Sequence, residues 1–343
     1  MGAGPGPRNL ITDVAGLRVG QAEDARVRTG VTVIVADDRA VCACDVRGGG
    51  PGTRETDALR PETLVDAVDA VVLSGGSVYG LAAADGVTAV LGARQRGFRL
   101  SAAADAPPSP IVPSAILYDL ANGGAKDWGE EPPYRGLGKA ALDVAAASFA
   151  LGTAGAGYGA MAGQLKGGVG SASIVAEDGL TGGAIVAVNS FGSVVAPDGR
   201  TFWAAPYEID GEFGGLGSSG LSARSDDWGL AKGAAQGDMS HRTNTTIACV
   251  ATDATLSVAE AQRVAIMAQD GLARAIRPAH APVDGDVVFA LATGRKPLAG
   301  PRHVAISRLG ALAADCLARA IARGVHAATP WPGAATRCWR DLV

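Results

Sequence analysis

The stretch Asn244-Thr245-Thr246-Ile247-Ala248-Cys249-Val250 carries the sharpest chemistry in this chain. A polar run ending His241-Arg242-Thr243 gives way at once to β-branched and apolar residues. A cut before Thr245 would leave a threonine at the head of a buried strand. Its hydroxyl would be a nucleophile and its own α-amine the base. Such an amine has a pKa of about 8, suited to general-base work near neutrality. The β-branched side chain restricts χ1 and so helps hold the hydroxyl in an attacking position. The same residues also make an ordinary strand start, because threonine favours β structure. In an uncut chain Thr245 has no free amine, so another group must take its proton when it attacks the Asn244 carbonyl.

Two other places supply groups for this chemistry. Asp284-Gly285-Asp286 puts two carboxylates two positions apart, just before an apolar run. In extended backbone such positions face the same way, so both could hold the Thr245 ammonium or hydroxyl. The plain alternative is an Asp-Gly turn with solvated charges. Asn189 closes the apolar run Ala184-Ile185-Val186-Ala187-Val188. Its amide could donate to a developing oxyanion, or simply open a turn at Ser190.

Strands and helices must position these groups. Residues 30–36 and 40–46 read as two strands of a hairpin around Asp37-Asp38. Residues 70–73 form a short apolar strand, followed by a glycine turn and a helix over 78–94 with Leu81, Ala84, Val87 and Leu91 inward. The start of that helix at Ser77 could bind an anion, or its glycines could only allow close packing. A helix is expected over 139–150 and a strand over 184–189. Residues 205–244 are polar and read as an exposed linker. Beyond it, 245–252 and 286–292 read as strands. A capping box at Ser257 and Glu260 opens a helix to about 276. A last helix, 304–322, ends at Gly324 as a C-cap. Alternating strands and helices imply stacked layers of both.

Composition narrows the function classes. The chain has 343 residues, 48% apolar and 19% charged, with net charge −4 and dispersed Lys and Arg. No basic stripe suggests nucleic acid. The N-terminus lacks the apolar core of a signal peptide, and no segment has the length of a membrane span, so a cytoplasmic protein is expected. Five scattered cysteines argue against a disulfide framework. Cys42 and Cys44 suit core packing. The four histidines form no spaced ligand set, so neither metal nor cofactor is expected. The loop Arg47-Gly48-Gly49-Gly50-Pro51-Gly52-Thr53 could cradle a phosphate, but it lacks the Lys-Ser/Thr ending of a nucleotide loop.

Four segments in order resemble the self-processing aminopeptidase family, which includes D-aminopeptidase/esterases, β-peptidyl aminopeptidases and nylon-oligomer hydrolases. They are Leu10-Ile11-Thr12-Asp13-Val14-Ala15-Gly16-Leu17-Arg18-Val19-Gly20 with Thr29-Gly30-Val31-Thr32; Asp45-Val46-Arg47-Gly48-Gly49 with Pro51-Gly52-Thr53-Arg54-Glu55-Thr56-Asp57; Leu73-Ser74-Gly75-Gly76-Ser77-Val78-Tyr79-Gly80-Leu81; and Asn244-Thr245-Thr246-Ile247 with Asp284-Gly285-Asp286. The resemblance runs over nearly the whole chain. It implies a four-layer αββα sandwich of the N-terminal-nucleophile type, one domain cut between Asn244 and Thr245 into chains 1–244 and 245–343. Thr245 is then the nucleophile. Lys166 resembles the family's active-site lysine, which would lower the threonine amine's pKa or anchor its hydroxyl. Tyr118 looks like a pocket tyrosine that assists binding or the oxyanion. Asp284, Asp286 and Asn189 take the roles given above. The Asn-Thr junction is similar to the nylon-oligomer hydrolase branch, where the aminopeptidase branches usually have Gly-Ser. It implies a small linear amide or peptide substrate such as a 6-aminohexanoate oligomer. A β-peptide or D-amino-acid aminopeptidase, and an uncleaved binding protein, stay open beside it. The family also implies a homotetramer built from dimers.

Overall fold

The structure is a computed structural model and describes residues 3–103, 105–219, 221–223, 227–233 and 244–343. In chain order its elements are β1 (Leu17–Asp24), β2 (Thr29–Val46), β3 (Thr53–Arg54), β4 (Val68–Ser74), α1 (Ala82–Ala93), β5 (Ser114–Ile116), α2 (Tyr134–Asp143), β6 (Met161–Ala162), β7 (Leu165–Lys166), β8 (Gly168–Val175), β9 (Thr181–Asn189), β10 (Thr245–Ala254), α3 (Val258–Ala268), α4 (Asp270–Ala275), β11 (Val287–Lys296) and α5 (Arg302–His326).

Period-two burial builds four layers. On β9 and β10, Ile185, Ala187, Ile247 and Cys249 point to one side and pack with Ile34, Val71 and Leu73 of β2 and β4. That is the core between two sheets. Val186, Val188, Ala248 and Val250 point the other way, against α3, α4 and α5. On the far side, Val31, Val33, Ala70 and Val72 pack under α1 and α2 through Val87, Leu91 and Leu142. The expected αββα order is therefore present. Alternation lets each strand serve two cores at once. Among the described residues no helix is long and apolar enough to cross a membrane.

The hairpin expected across Asp37-Asp38 does not form. Both runs belong to the single 18-residue strand β2. Asp37 lies extended: its N–H donates to Gly16 O at 2.8 Å and its carboxylate takes Arg18 at 2.7 Å. With these partners the polar pair needs no turn. β2 instead changes partners along its length, pairing first with β1 and β4, then with β11 through residues 41–46. It so joins the two sheets into one continuous path. The hairpin lies one element earlier, between β1 and β2.

Other expectations are also corrected. The helix expected over 139–150 begins at Tyr134 and stops at Asp143, because Ala146 leaves it to pair with Val19. The 205–244 stretch is exposed over 214–219 but docked on either side: Phe213 is buried, edge-on to Phe202, and Glu212 binds Arg319 of α5 at 2.5 Å. Residues 234–243 lie outside the described residues. Gly324 is inside α5, not its cap. A Cβ on Gly170 of β8 would sit 1.8 Å from Ala320 O and 2.6 Å from Gly324 N, so paired glycines let helix and strand backbones touch. The capping box at Ser257 and Glu260 forms as read, with the helix broken at Gln269 into α3 and α4. Cys42 and Cys44 are free thiols at the central core.

Candidate active site

β9 ends where β10 begins, and antiparallel pairing sets Asn189 directly opposite Thr245. β11 runs parallel to β10 with Val287 opposite Ile247, so the loop before β11 arrives beside Thr245 and Thr246. Three strand ends thus converge from parts of the sequence far apart. Thr245 is 3% exposed, and its hydroxyl is hydrogen-bonded to the carbonyl oxygen of Asn244. The backbone of Gly285 covers that hydroxyl: a Cβ there would lie 2.7 Å from Thr245 Oγ1.

Asp286 anchors the strand start. Its Oδ1 accepts the Thr246 N–H at 2.9 Å, and its Oδ2 accepts the His280 N–H at 3.0 Å and faces His280 Nδ1 at 2.9 Å. Asp284 Oδ1 accepts the N–H of Phe191, just past Asn189, at 3.1 Å. The two carboxylates therefore flank Thr245 but bond to its neighbours, not to its hydroxyl. Burial, and then the adjacent charge of Asp286, push the Asp284 carboxyl well above the usual carboxylate range. At such a pKa it can exchange a proton near neutrality.

The glycine-rich loop after β2 holds this turn instead of a phosphate. The N–H groups of Arg47 and Gly48 donate to Asp286 O at 3.0 and 3.2 Å, and that of Gly50 donates to Asp284 O at 2.7 Å. Its donors are spent on the chain itself. The N-terminal end of the segment at Ser77 is filled likewise: Asp119 Oδ1 accepts the Gly76 N–H at 2.8 Å, and Oδ2 accepts the Thr29 hydroxyl at 2.6 Å.

The Asn189 side chain is held from both ends. Oδ1 accepts the Met161 N–H at 2.9 Å, and Nδ2 donates to Tyr118 O at 3.0 Å. Tyr118 meets Asn189 through its carbonyl. Beside Asn189 opens a cavity of about 300 Å³ lined by Tyr118, Asp119, Met161, Lys232 and Trp331, among others. Its position at the strand ends suits a small substrate.

Lys166 bonds to backbone carbonyls, not to the side chains of this group. It is fully buried, and Nζ donates to the carbonyls of Gly157, Ala160 and Gly167 at 3.1, 3.1 and 2.8 Å. The ammonium also lies 5.1 Å over the Trp331 ring. Burial lowers it to about 7. It makes no hydrogen bond to Thr245; it ties together the loops behind the cavity. Two residues were not singled out by sequence. His280 supports Asp286, and Lys232 contacts Asn189, with burial lowering it to about 7. A lone lysine in a polar stretch gives no sign that its ammonium is buried. Among the described residues no cluster of His, Cys, Asp or Glu could hold a metal ion.

The chain is similar to known proteins over most of its length. The family described as Peptidase family S58 matches residues 9–338. An uncharacterized aminopeptidase of Mycobacterium tuberculosis is 44% identical, over 97% of this chain and 98% of that protein. A 6-aminohexanoate-oligomer endohydrolase of Kocuria sp. is 28% identical, over 91% of this chain and 84% of that protein. Among solved structures, a Burkholderia sp. β-aminopeptidase superposes with a TM-score of 0.70 at 23% identity, covering 99% of this chain and 94% of that one. The L-aminopeptidase D-Ala-esterase/amidase of Ochrobactrum anthropi, described as a variant of the N-terminal-nucleophile hydrolase fold, gives 0.68 at 22% identity, covering 98% and 91%.

Proposed function

Because the chain belongs to peptidase family S58 and is an amide-bond hydrolase with the N-terminal-nucleophile fold, we propose that it activates itself by cutting Asn244-Thr245 and then hydrolyses small linear amides with Thr245. The observation that carries this reading is the Thr245 hydroxyl bonded to the carbonyl of Asn244, beneath Gly285 and opposite Asn189. In the first step Thr245 Oγ1 attacks the Asn244 carbonyl carbon. The C–N bond breaks, the acyl group moves to oxygen as an ester, and the hydroxyl proton ends on the freed amine. Asp284, raised towards neutrality, is a nearby group able to carry that proton. Water then opens the ester, leaving an Asn244 carboxylate and a free Thr245.

In turnover the freed α-amine takes the hydroxyl proton, and Oγ1 attacks the substrate carbonyl in the same place. Asn189 stabilises the oxyanion, a contribution of several kcal/mol in hydrolases that use such a donor. Asp286 keeps Thr246, and so Thr245, in register. Tyr118 lines the cavity that takes the substrate. Lys166 acts by shaping the cavity wall. The linear-amide preference, of which 6-aminohexanoate oligomers are the type, rests on the Asn-Thr junction and the 28% relatives. The aminopeptidase names of the 44% relatives favour a second reading, cleavage next to a free α- or β-amine.

A denaturing gel tests the first step: purified protein should give two pieces, residues 1–244 and 245–343. Thr245→Ala should give one intact band, and efficient cleavage of that variant rules Thr245 out as the attacking group. Processed protein offered an aminohexanoate dimer and a free-amine p-nitroanilide separates the two substrate readings.

A further inference from the structure

One cation at the reactive end of the cavity has no part in the steps above. Lys232 Nζ donates to Asn189 O at 3.3 Å and to Asn189 Oδ1 at 3.4 Å. Its backbone N–H donates to Phe191 O at 2.9 Å, and the Phe191 N–H in turn donates to Asp284. Lys232, Asn189, Phe191 and Asp284 so form one connected set at the strand end opposite Thr245.

The Asn189 amide can act as an oxyanion donor only if its nitrogen, not its oxygen, is the end that faces the attacked carbonyl. A side-chain amide is nearly symmetric in shape, so hydrogen bonds decide which way round it sits. Two donors converge on Oδ1, the Met161 N–H and the Lys232 ammonium, while Nδ2 has a carbonyl acceptor in Tyr118. The Met161 N–H makes the shorter bond, at 2.9 Å, and Lys232, at 3.4 Å, brings positive charge to the same oxygen when protonated. The ammonium also polarises the amide, making its N–H groups better donors. The reverse orientation would aim an N–H2 group at a cation.

We propose that Lys232 is a positioning residue for Asn189: its ammonium locks the amide with the nitrogen as donor end, for self-cleavage and for turnover alike. The proposal rests on the Thr245–Asn189 reading given above. It goes beyond burial or charge balance, because it says that Lys232 acts through one particular side chain.

A double-mutant cycle on the full-length chain tests it, with self-cleavage followed over days on a denaturing gel and folding checked by thermal melting. The four forms are wild type, Lys232→Met, Asn189→Ala and the double variant. Lys232→Met is expected to slow cleavage roughly 10- to 100-fold in the wild-type background. In the Asn189→Ala background the same change should cost less than about threefold, because the residue it positions is gone. Lys232→Arg, which keeps charge and donors, should cleave faster than Lys232→Met. Equal slowing by Lys232→Met in both backgrounds, or equal rates for the Met and Arg variants, overturns the proposal. Normal cleavage by Lys232→Met overturns it too. A wild-type chain that never cleaves overturns instead the Thr245 reading on which it stands.

Discussion

Gly285→Ala should slow self-cleavage markedly while leaving the fold largely intact. A Cβ at Gly285 would lie 2.7 Å from Thr245 Oγ1 and 2.7 Å from Gly50 O. Ordinary contact begins near 3.4 Å, so each neighbour must yield several tenths of an ångström. The Gly50 carbonyl is tied into the loop whose N–H groups hold Asp284 and Asp286, and gives way at a cost. The threonine hydroxyl gives way more easily, by rotating about χ1, which takes it off the Asn244 carbonyl. A misplacement of about 1 Å at a reacting centre costs on the order of 100-fold in rate, so a fall of roughly 10- to 100-fold is expected. Overpacking against Gly50 should cost about 1–3 kcal/mol of stability. The assay is a gel time course beside a thermal melt. Gly50→Ala is the control, since its Cβ would meet only Asp284 O at 3.7 Å, and it should cleave normally. Wild-type cleavage by Gly285→Ala would refute the argument that the hydroxyl must sit under Gly285 to attack.

Other outcomes follow from the same geometry. Glu212→Ala should lower stability by about 3–5 kcal/mol, because it strands the buried Arg319, 1% exposed, and removes a partner of Arg323; a shift in the denaturant midpoint of the processed protein measures it. Asp284→Asn should cut self-cleavage and flatten the pH dependence of stability. The folded carboxyl is raised above its unfolded value, so between the two pKa values the fold holds the proton that the unfolded chain has lost. Stability from this group is full below the unfolded pKa of about 4 and falls as pH rises through the folded one. Denaturant midpoints taken from pH 4 to pH 8 should fall less steeply for the variant than for wild type; identical slopes would contradict the burial argument.

Local sequence showed much of the working parts. The β-branched run from Thr245 became β10, the period-two apolar pattern gave both faces of β9 and β10, and Ser257 with Glu260 gave a helix start. Each of these depends on residues within a few positions of one another. The hairpin at Asp37-Asp38 misled because two acidic residues in a row are a turn signal only when nothing pairs them, and Arg18 and Gly16 do. The phosphate reading of the glycine loop and the anion reading of Ser77 fall for a related reason: their donors are met by Asp284, Asp286 and Asp119, carboxylates and carbonyls brought in by the fold.

By itself the sequence determined which residues could attack, donate or carry a proton, since a hydroxyl, an amide and a carboxylate keep their chemistry wherever they sit. It also determined strand and helix through spacing and caps. Only the tertiary structure decided which of those groups meet. Strand register set Asn189 against Thr245, a parallel neighbour delivered Asp284-Gly285-Asp286, and a loop more than 230 residues upstream in contact terms was not predictable from spacing. Burial, a property of the packed whole, then lowered Lys166 and Lys232 to about 7 and raised Asp284. It withdrew Lys166 into three backbone carbonyls and set Lys232 on Asn189. No local pattern distinguishes those two lysines, because the carbonyls, amides and low-polarity surroundings that separate them come from distant parts of the chain.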